Sequence, residues 1–211
     1  MAAGAMSADR LRDQLSEKPV PRNALLEEAG RLEQQVSLLR AVLDAMRAFT
    51  ATPPLTFTSE VLREIVEEAA SLAFGPDGRA RPPIEVQVPA TIGIEVERTR
   101  LIQAVTNLLV NALESYPPGS PLAPIVVRAE THEGHVVLSI EDSGCGMSEE
   151  ALSDAKTLFA TSKPNGTGFG LPLAIKIVES EHGGQLSLES TKGNGTVVRL
   201  VIPTDRKRDY A

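Results

Sequence analysis

Leu25, Ala29, Leu32, Val36, Leu39, Leu43, Met46 and Thr50 follow a 4,3,4,3 spacing, with charged residues and glutamines filling the positions between. That stripe is narrow, the seam of a coiled coil, and a single helix cannot bury it alone. Upstream, residues 7–18 are also helix-forming material without glycine, and Pro19 and Pro21 separate the two stretches. The pattern predicts an antiparallel hairpin of helices 7–18 and 22–50, half of a four-helix bundle that a second copy would complete. A lone amphipathic helix packed on its own domain is the competing reading.

Beyond Pro53-Pro54 the periodicity changes. Ser59 reads as the N-cap of a helix over 60–73, with Val61, Leu62, Ile65, Val66 and Ala69 on one face. Residues 85–89 alternate like a strand, and residues 99–116 have a helical period. Residues 125–130 and 135–141 read as strands of a hairpin turning at Glu133-Gly134. A helix over 171–181 closes at Gly183-Gly184, and residues 185–189 and 196–202 make a last hairpin. The expected architecture is a two-layer α/β sandwich, a mixed sheet with helices on one face. Its expected bounds are 53–205, after a dimerisation segment over 1–52 and before a tail over 206–211.

Composition removes several classes of function. The net charge of −7 argues against nucleic acid as the main partner. A single cysteine, Cys145, excludes an internal disulfide and fits a reducing compartment. No apolar run approaches the roughly 20 residues of a membrane span, and residues 1–6 lack the charged lead and apolar core of a signal peptide. The expectation is a cytoplasmic chain, or the cytoplasmic part of a longer one, with no membrane contact from this segment. With no Trp and few other aromatics, the core must be aliphatic.

Three segments carry candidate chemistry. Asn107 and Asn111 stand four apart, so a helix stacks them on one face while Leu101, Ile102, Val105, Leu108 and Leu109 turn to the core. Two aligned amides can hold a divalent cation and the phosphate oxygens it bridges, although such a pair taken alone is more often solvated surface or a cap than a ligand set. Asp142-Ser-Gly144-Cys-Gly146 ends a strand, where alternating glycines let the backbone pass close to a flat ligand and the carboxylate can accept from an exocyclic amine. An ordinary turn is the plain alternative. Lys163-Pro-Asn-Gly166-Thr167-Gly168-Phe-Gly170-Leu171 runs into a helix, which frees backbone N–H groups for phosphate and adds a cation. It is neither a Walker A loop nor a dinucleotide fingerprint.

In this order, the three segments resemble the N, G1 and G2 boxes of the ATP-binding domain shared by sensor histidine kinases, gyrase-type ATPases, Hsp90-type chaperones and MutL-type repair proteins. The resemblance spans roughly residues 57–203, with residues 159–163 similar to the F box and lid. Asn-Leu-Leu-Val-Asn-Ala and Gly-Thr-Gly-Phe-Gly-Leu favour the histidine-kinase branch, and the seam before them resembles the second helix of its dimerisation and phosphotransfer domain. The resemblance implies the Bergerat fold, ATP and Mg²⁺ as cofactors, a homodimer and a response regulator as partner. It implies that Asn111 binds the metal, supported by Asn107, and that Asp142 reads the adenine beside Gly144 and Gly146. Gly166, Thr167, Gly168, Gly170 and Leu171 would wrap the phosphates, with Lys163 neutralising charge. Tyr116 would lie near the ribose or adenine, or else be a core tyrosine at a helix end.

In hydrolysing relatives a glutamate that activates water stands four positions before the metal-binding asparagine. Here that position is Asn107, an amide without useful basicity. The family's acceptor histidine lies on the first helix of the bundle, whereas this chain has only His132, His135 and His182. His132 and His135 flank a predicted turn and His182 ends a helix, so the acceptor is expected upstream in a longer protein. A module without phosphotransfer, or a serine kinase of the anti-sigma type, are the alternatives. Phe159 and Gly166 stand only seven positions apart, which makes a short lid.

Overall fold

The computed structural model describes residues 22–51, 54–74, 81–117, 119, 122–157, 160 and 167–205. The predicted first helix over 7–18 lies outside them, as do Phe159, Lys163 and Gly166.

Helix α1 spans Arg22–Thr50 and has no buried residue. Its seam stays open in the single chain: Val36, Leu39, Leu43 and Met46 are each about half exposed. Strand β1 (Thr58–Val61) leads directly into α2 (Leu62–Ala73). Next come β2 (Ile84–Gln87), β3 (Gly93–Val96) and α3 (Arg98–Leu113). The hairpin β4 (Ile125–His132) and β5 (His135–Asp142) precedes the short α4 (Glu149–Asp154). Helix α5 (Gly170–Ile175) continues as a π-helical segment over Lys176–Glu181, and β6 (Gln185–Ser190) and β7 (Thr196–Pro203) end the fold.

Five strands form one sheet in the order β2-β4-β5-β7-β6, parallel only between β2 and β4. Alternation along them sends Ile125, Val127, Val136, Leu138, Ile140, Leu200 and Ile202 to one buried face. Helices α2, α3 and α5 cover that face, with Leu62, Ile65, Leu101, Val105, Leu109 and Ile177 all but fully buried. This is the two-layer α/β sandwich, and its core is aliphatic as expected.

Several local expectations are corrected. Ser59 caps no helix: it lies in β1, paired with Glu95 of β3, and α2 begins three residues later without a side-chain cap. Residues 58–61 pair antiparallel with 93–96 in a separate two-stranded sheet, a partnership that no local pattern announces. Helix α3 stops at Leu113, so Ser115 and Tyr116 lie beyond it. The last helix is α only to Ile175. In the π segment the His182 N–H bonds five residues back to Ile177 O at 3.1 Å, and Gly183 then reverses the chain at φ 68°.

Candidate functional site

Helix α3 starts on Glu97, whose carboxylate accepts from the Arg100 N–H at 2.6 Å and satisfies one free donor of the first turn. Its apolar face is buried, and Gln103, Asn107 and Asn111 are left half-buried on the other side. The Asn107 side-chain amide donates to Gly170 O at 3.4 Å. A methyl group at Gly170 would lie 3.8 Å from both polar atoms of the Asn111 amide. Helix α3 therefore presents both asparagines to the start of α5. Thr167 is half-buried, with its hydroxyl accepting from Phe169 N–H at 3.4 Å, and Gly168 takes a positive φ of 69°. Leu171 packs against the core.

The second cluster gathers where α3 ends. Asp142, the last residue of β5, is only 6% exposed. Its Oδ1 accepts from the Ser115 hydroxyl at 3.0 Å and from Gly144 N–H at 2.9 Å. Cys145 N–H donates to Ser115 O at 2.9 Å, stitching the turn to the end of α3. The glycines here meet the protein's own backbone. A side chain at Gly144 would collide with Ser115, and one at Gly146, already at φ 58°, with Thr191 O. Across the turn, a side chain at Gly195 would collide with Asp142 O. The β6–β7 turn is thus pressed against this segment, held by Gly193 N–H to Cys145 O and Met147 N–H to Ser190 Oγ, both 2.8 Å.

The Tyr116 hydroxyl accepts from Ser143 N–H and donates to Ala123 O, each at 3.0 Å. It clasps the same turn to the chain that enters β4. Burial, the dominant cause, raises its phenol above the ordinary tyrosine value, against the lowering effect of the Ser143 bond.

A third set of contacts supports the first two. Arg100 of α3 grips Glu181 of the π segment through two parallel hydrogen bonds, Nε to Oε2 at 2.8 Å among them, and also reaches Gln103 at 2.6 Å. Lys176 lies 3.9 Å from the same Glu181. Its ammonium donates to Phe49 O at 2.6 Å and Ala51 O at 2.8 Å, carbonyls in the last turn of α1 and just past its end. Phe49 also meets Phe169 edge-on at 6.1 Å. The end of α1 is thereby fastened next to Gly168 and Gly170. His182 is buried: Nε2 accepts from Glu97 N–H at 3.2 Å and Nδ1 faces Ile177 O at 2.8 Å, which fixes the neutral tautomer with its proton on Nδ1.

Residues 96–206 match the family model of histidine kinase-, DNA gyrase B- and HSP90-like ATPases. The chain belongs to this family. Among known relatives it is 29% identical over 171 residues to sporulation kinase C of Bacillus subtilis, covering 80% of this chain and 39% of that protein. It is 32% identical over 179 residues to the sensor histidine kinase ZraS of Klebsiella oxytoca, covering 84% of this chain and 37% of that one. The chain thus spans less than two fifths of either relative. The catalytic domain of the histidine kinase ThkA, solved without nucleotide, superposes with a TM-score of 0.62 at 29% identity over 71% of this chain and 97% of that domain. The histidine kinase AdeS of Acinetobacter baumannii matches 96% of this chain with a TM-score of 0.62 at 21% identity, a likeness of fold that extends over α1.

Within this histidine-kinase-type ATP-binding domain, α3 and the residues just after it join both clusters. Asn107 and Asn111 face Gly170, and Ser115, four residues after Asn111, bonds to Asp142. Sequence reasoning missed Ser115, Lys176, the Arg100–Glu181 pair and the 191–195 turn. Only the last left a local signal, the Gly193-Asn-Gly195 run. Among the described residues no helix is long and apolar enough to cross a membrane.

Proposed function

We propose that this chain is the catalytic core of a two-component sensor histidine kinase. It binds Mg·ATP and passes the γ-phosphoryl to a histidine, from which it moves to an aspartate of a response regulator. The observation that carries the reading is the sharing of one helix: α3 turns Asn107 and Asn111 toward the start of α5 and, at its end, holds the buried Asp142.

The residues fit the cofactor. Among the described residues no three His, Cys, Asp or Glu side chains gather into a cage. Mg²⁺ needs none, since it keeps several waters and takes one or two protein oxygens beside the phosphates. Asn111 supplies such an oxygen next to the uncrowded Gly170. Bound Mg·ATP supplies the transferable phosphoryl group and most of its charge neutralisation. Asp142 accepts from the adenine amine, and Tyr116 holds the wall beside it. Thr167, Gly168 and Gly170 offer backbone and hydroxyl donors to phosphate, with Leu171 following them into α5. Asn107 orients without abstracting a proton, so water is a poor nucleophile here and ATP waits for a better one.

Neither exposed histidine lies near these groups by sequence or pairing: His132 and His135 are opposite each other at the far end of the β4–β5 hairpin. His182 is buried with both ring nitrogens engaged. The acceptor is therefore a histidine other than these three. Helix α1 supports dimerisation, since its apolar seam stays exposed in one chain and a second copy would cover it.

The test is incubation with labelled ATP and a histidine-bearing phosphotransfer domain. Acid-labile, base-stable protein phosphate is expected, together with nucleotide affinity that depends on Mg²⁺ for ATP. Acid-stable phosphate would identify a serine kinase, and binding without any transfer a sensing module.

A further inference from the structure

We propose that Ser115 is a positioning residue for base recognition, setting the orientation of the Asp142 carboxylate so that the site selects adenine over 6-oxopurines. The inference rests on the nucleotide reading above and adds to it a residue that touches no nucleotide itself.

Ser115 follows the end of α3 by two residues, and its backbone is held on both sides. Its N–H donates to Ala112 O at 3.2 Å and its carbonyl accepts from Cys145 N–H at 2.9 Å. The side chain lies directly against Gly144, where even one added carbon would strike it. Its hydroxyl lies 2.8 Å from Ala112 O and 3.0 Å from Asp142 Oδ1. One proton cannot serve both acceptors, and an ionised carboxylate is the stronger one. Gly144 N–H donates to the same Oδ1 at 2.9 Å.

The terminal torsion of an aspartate is intrinsically broad. Two donors converging on Oδ1 remove that freedom and thereby fix the direction of the other oxygen. Discrimination between bases depends on that direction. Adenine offers an amine to a carboxylate, whereas hypoxanthine offers a carbonyl, acceptor against acceptor. A carboxylate locked in place rejects the second base, while one that can rotate away tolerates it. A residue that merely ended the helix through Ala112 O would affect every nucleotide alike.

The experiment titrates the whole 211-residue chain with ADP and with inosine diphosphate, in the wild type, Ser115→Ala, Asp142→Asn and the double variant. The wild type should prefer ADP. Ser115→Ala should weaken ADP roughly tenfold, about the worth of one hydrogen bond, and inosine diphosphate by less than about twofold. In the Asp142→Asn background, which has already lost the preference, adding Ser115→Ala should change nothing further. Three results would overturn the proposal: an unchanged preference in Ser115→Ala, an equal loss for both nucleotides through misfolding or general damage, or the same cost with Asp142 already replaced. A wild type without preference for ADP would overturn the underlying nucleotide reading as well, and so is distinguishable from failure of Ser115 alone.

Discussion

Replacing Glu181 with glutamine tests how the two clusters are held in register. Glu181 and Arg100 are each 9% exposed and lie 81 positions apart in the chain. Their paired bonds tie α3, which carries both asparagines, to the segment that continues from Gly170. Glutamine keeps the shape and one acceptor but removes the charge, leaving the guanidinium bonded to two neutral side-chain carbonyls, that of Gln103 and that of the new amide. Breaking a buried pair on one side costs about 3–5 kcal/mol, and the retained acceptor places this variant near the lower end, about 3 kcal/mol. Against a total stability of about 5–15 kcal/mol that is a large fraction. Urea unfolding followed by circular dichroism reads it directly. Replacing both partners with Leu and Met should recover most of the loss, because no uncompensated charge is then buried. A loss below about 1 kcal/mol for Glu181→Gln, or strict additivity in the pair, would refute the reasoning.

The same residue gives a pH dependence whose sign is determined. Burial raises the Glu181 carboxyl, but the hydrogen bond and charge of Arg100 outweigh it, helped by Lys176, and the folded value lies below the ordinary 4.5. A carboxyl depressed in the folded state contributes stability that is complete above 4.5 and is lost as the pH falls through the folded value. The wild type should therefore weaken on acidification below 4.5 by more than Glu181→Gln does.

Asn111→Ala should abolish the Mg²⁺ dependence of ATP affinity while leaving Mg²⁺-free ADP binding within about twofold, as calorimetry with and without the metal would show; a surviving metal dependence would move the metal ligand elsewhere. Lys176→Met should free the carbonyls of Phe49 and Ala51, so amide exchange at the end of α1 should quicken while β5 and β7 keep their protection. Unchanged exchange there would mean that the Phe49–Phe169 contact alone holds the helix.

How much of this was legible depended on distance along the chain. Periods of 3.6 and 2 identified α3, the β4–β5 hairpin and β7, because each buries one face of a continuous run. Strand β1 was misread because Ser59 before an apolar run is a sound N-cap signal; what overrides it is pairing with residues 93–96, which exists only after folding. The π turn has the same origin, arising where His182 bonds back to Ile177 and Glu181 meets Arg100. Asp142 was singled out for its place at a strand end before alternating glycines, but Ser115 was passed over, since a serine after a helix is unremarkable until a carboxylate from position 142 arrives beside it.

The glycines show a cause that sequence reasoning did not see. Gly144 and Gly146 were expected to let the backbone pass close to a flat ligand, Gly168 and Gly170 to free N–H groups for phosphate, and Gly195 was given no role. At Gly144, Gly146 and Gly195 the protein itself forbids a side chain, through Ser115, Thr191 O and Asp142 O. Gly170 differs. An added methyl there would make only ordinary contacts, 3.8 Å to Asn111 and 3.9 Å to Asn107, and alanine is the better helix former. Among the described residues, packing gives no reason for glycine at that position, which under the proposed function leaves space there for phosphate. Gly144→Ala should lower the melting temperature, by overpacking worth about 1–3 kcal/mol or more. Gly170→Ala should melt at or slightly above the wild-type temperature and yet bind ATP at least about tenfold more weakly, a cost of about 1.4 kcal/mol. If Gly170→Ala is stable and binds ATP normally, no phosphate passes that point, and the nucleotide does not bridge the two ends of α3.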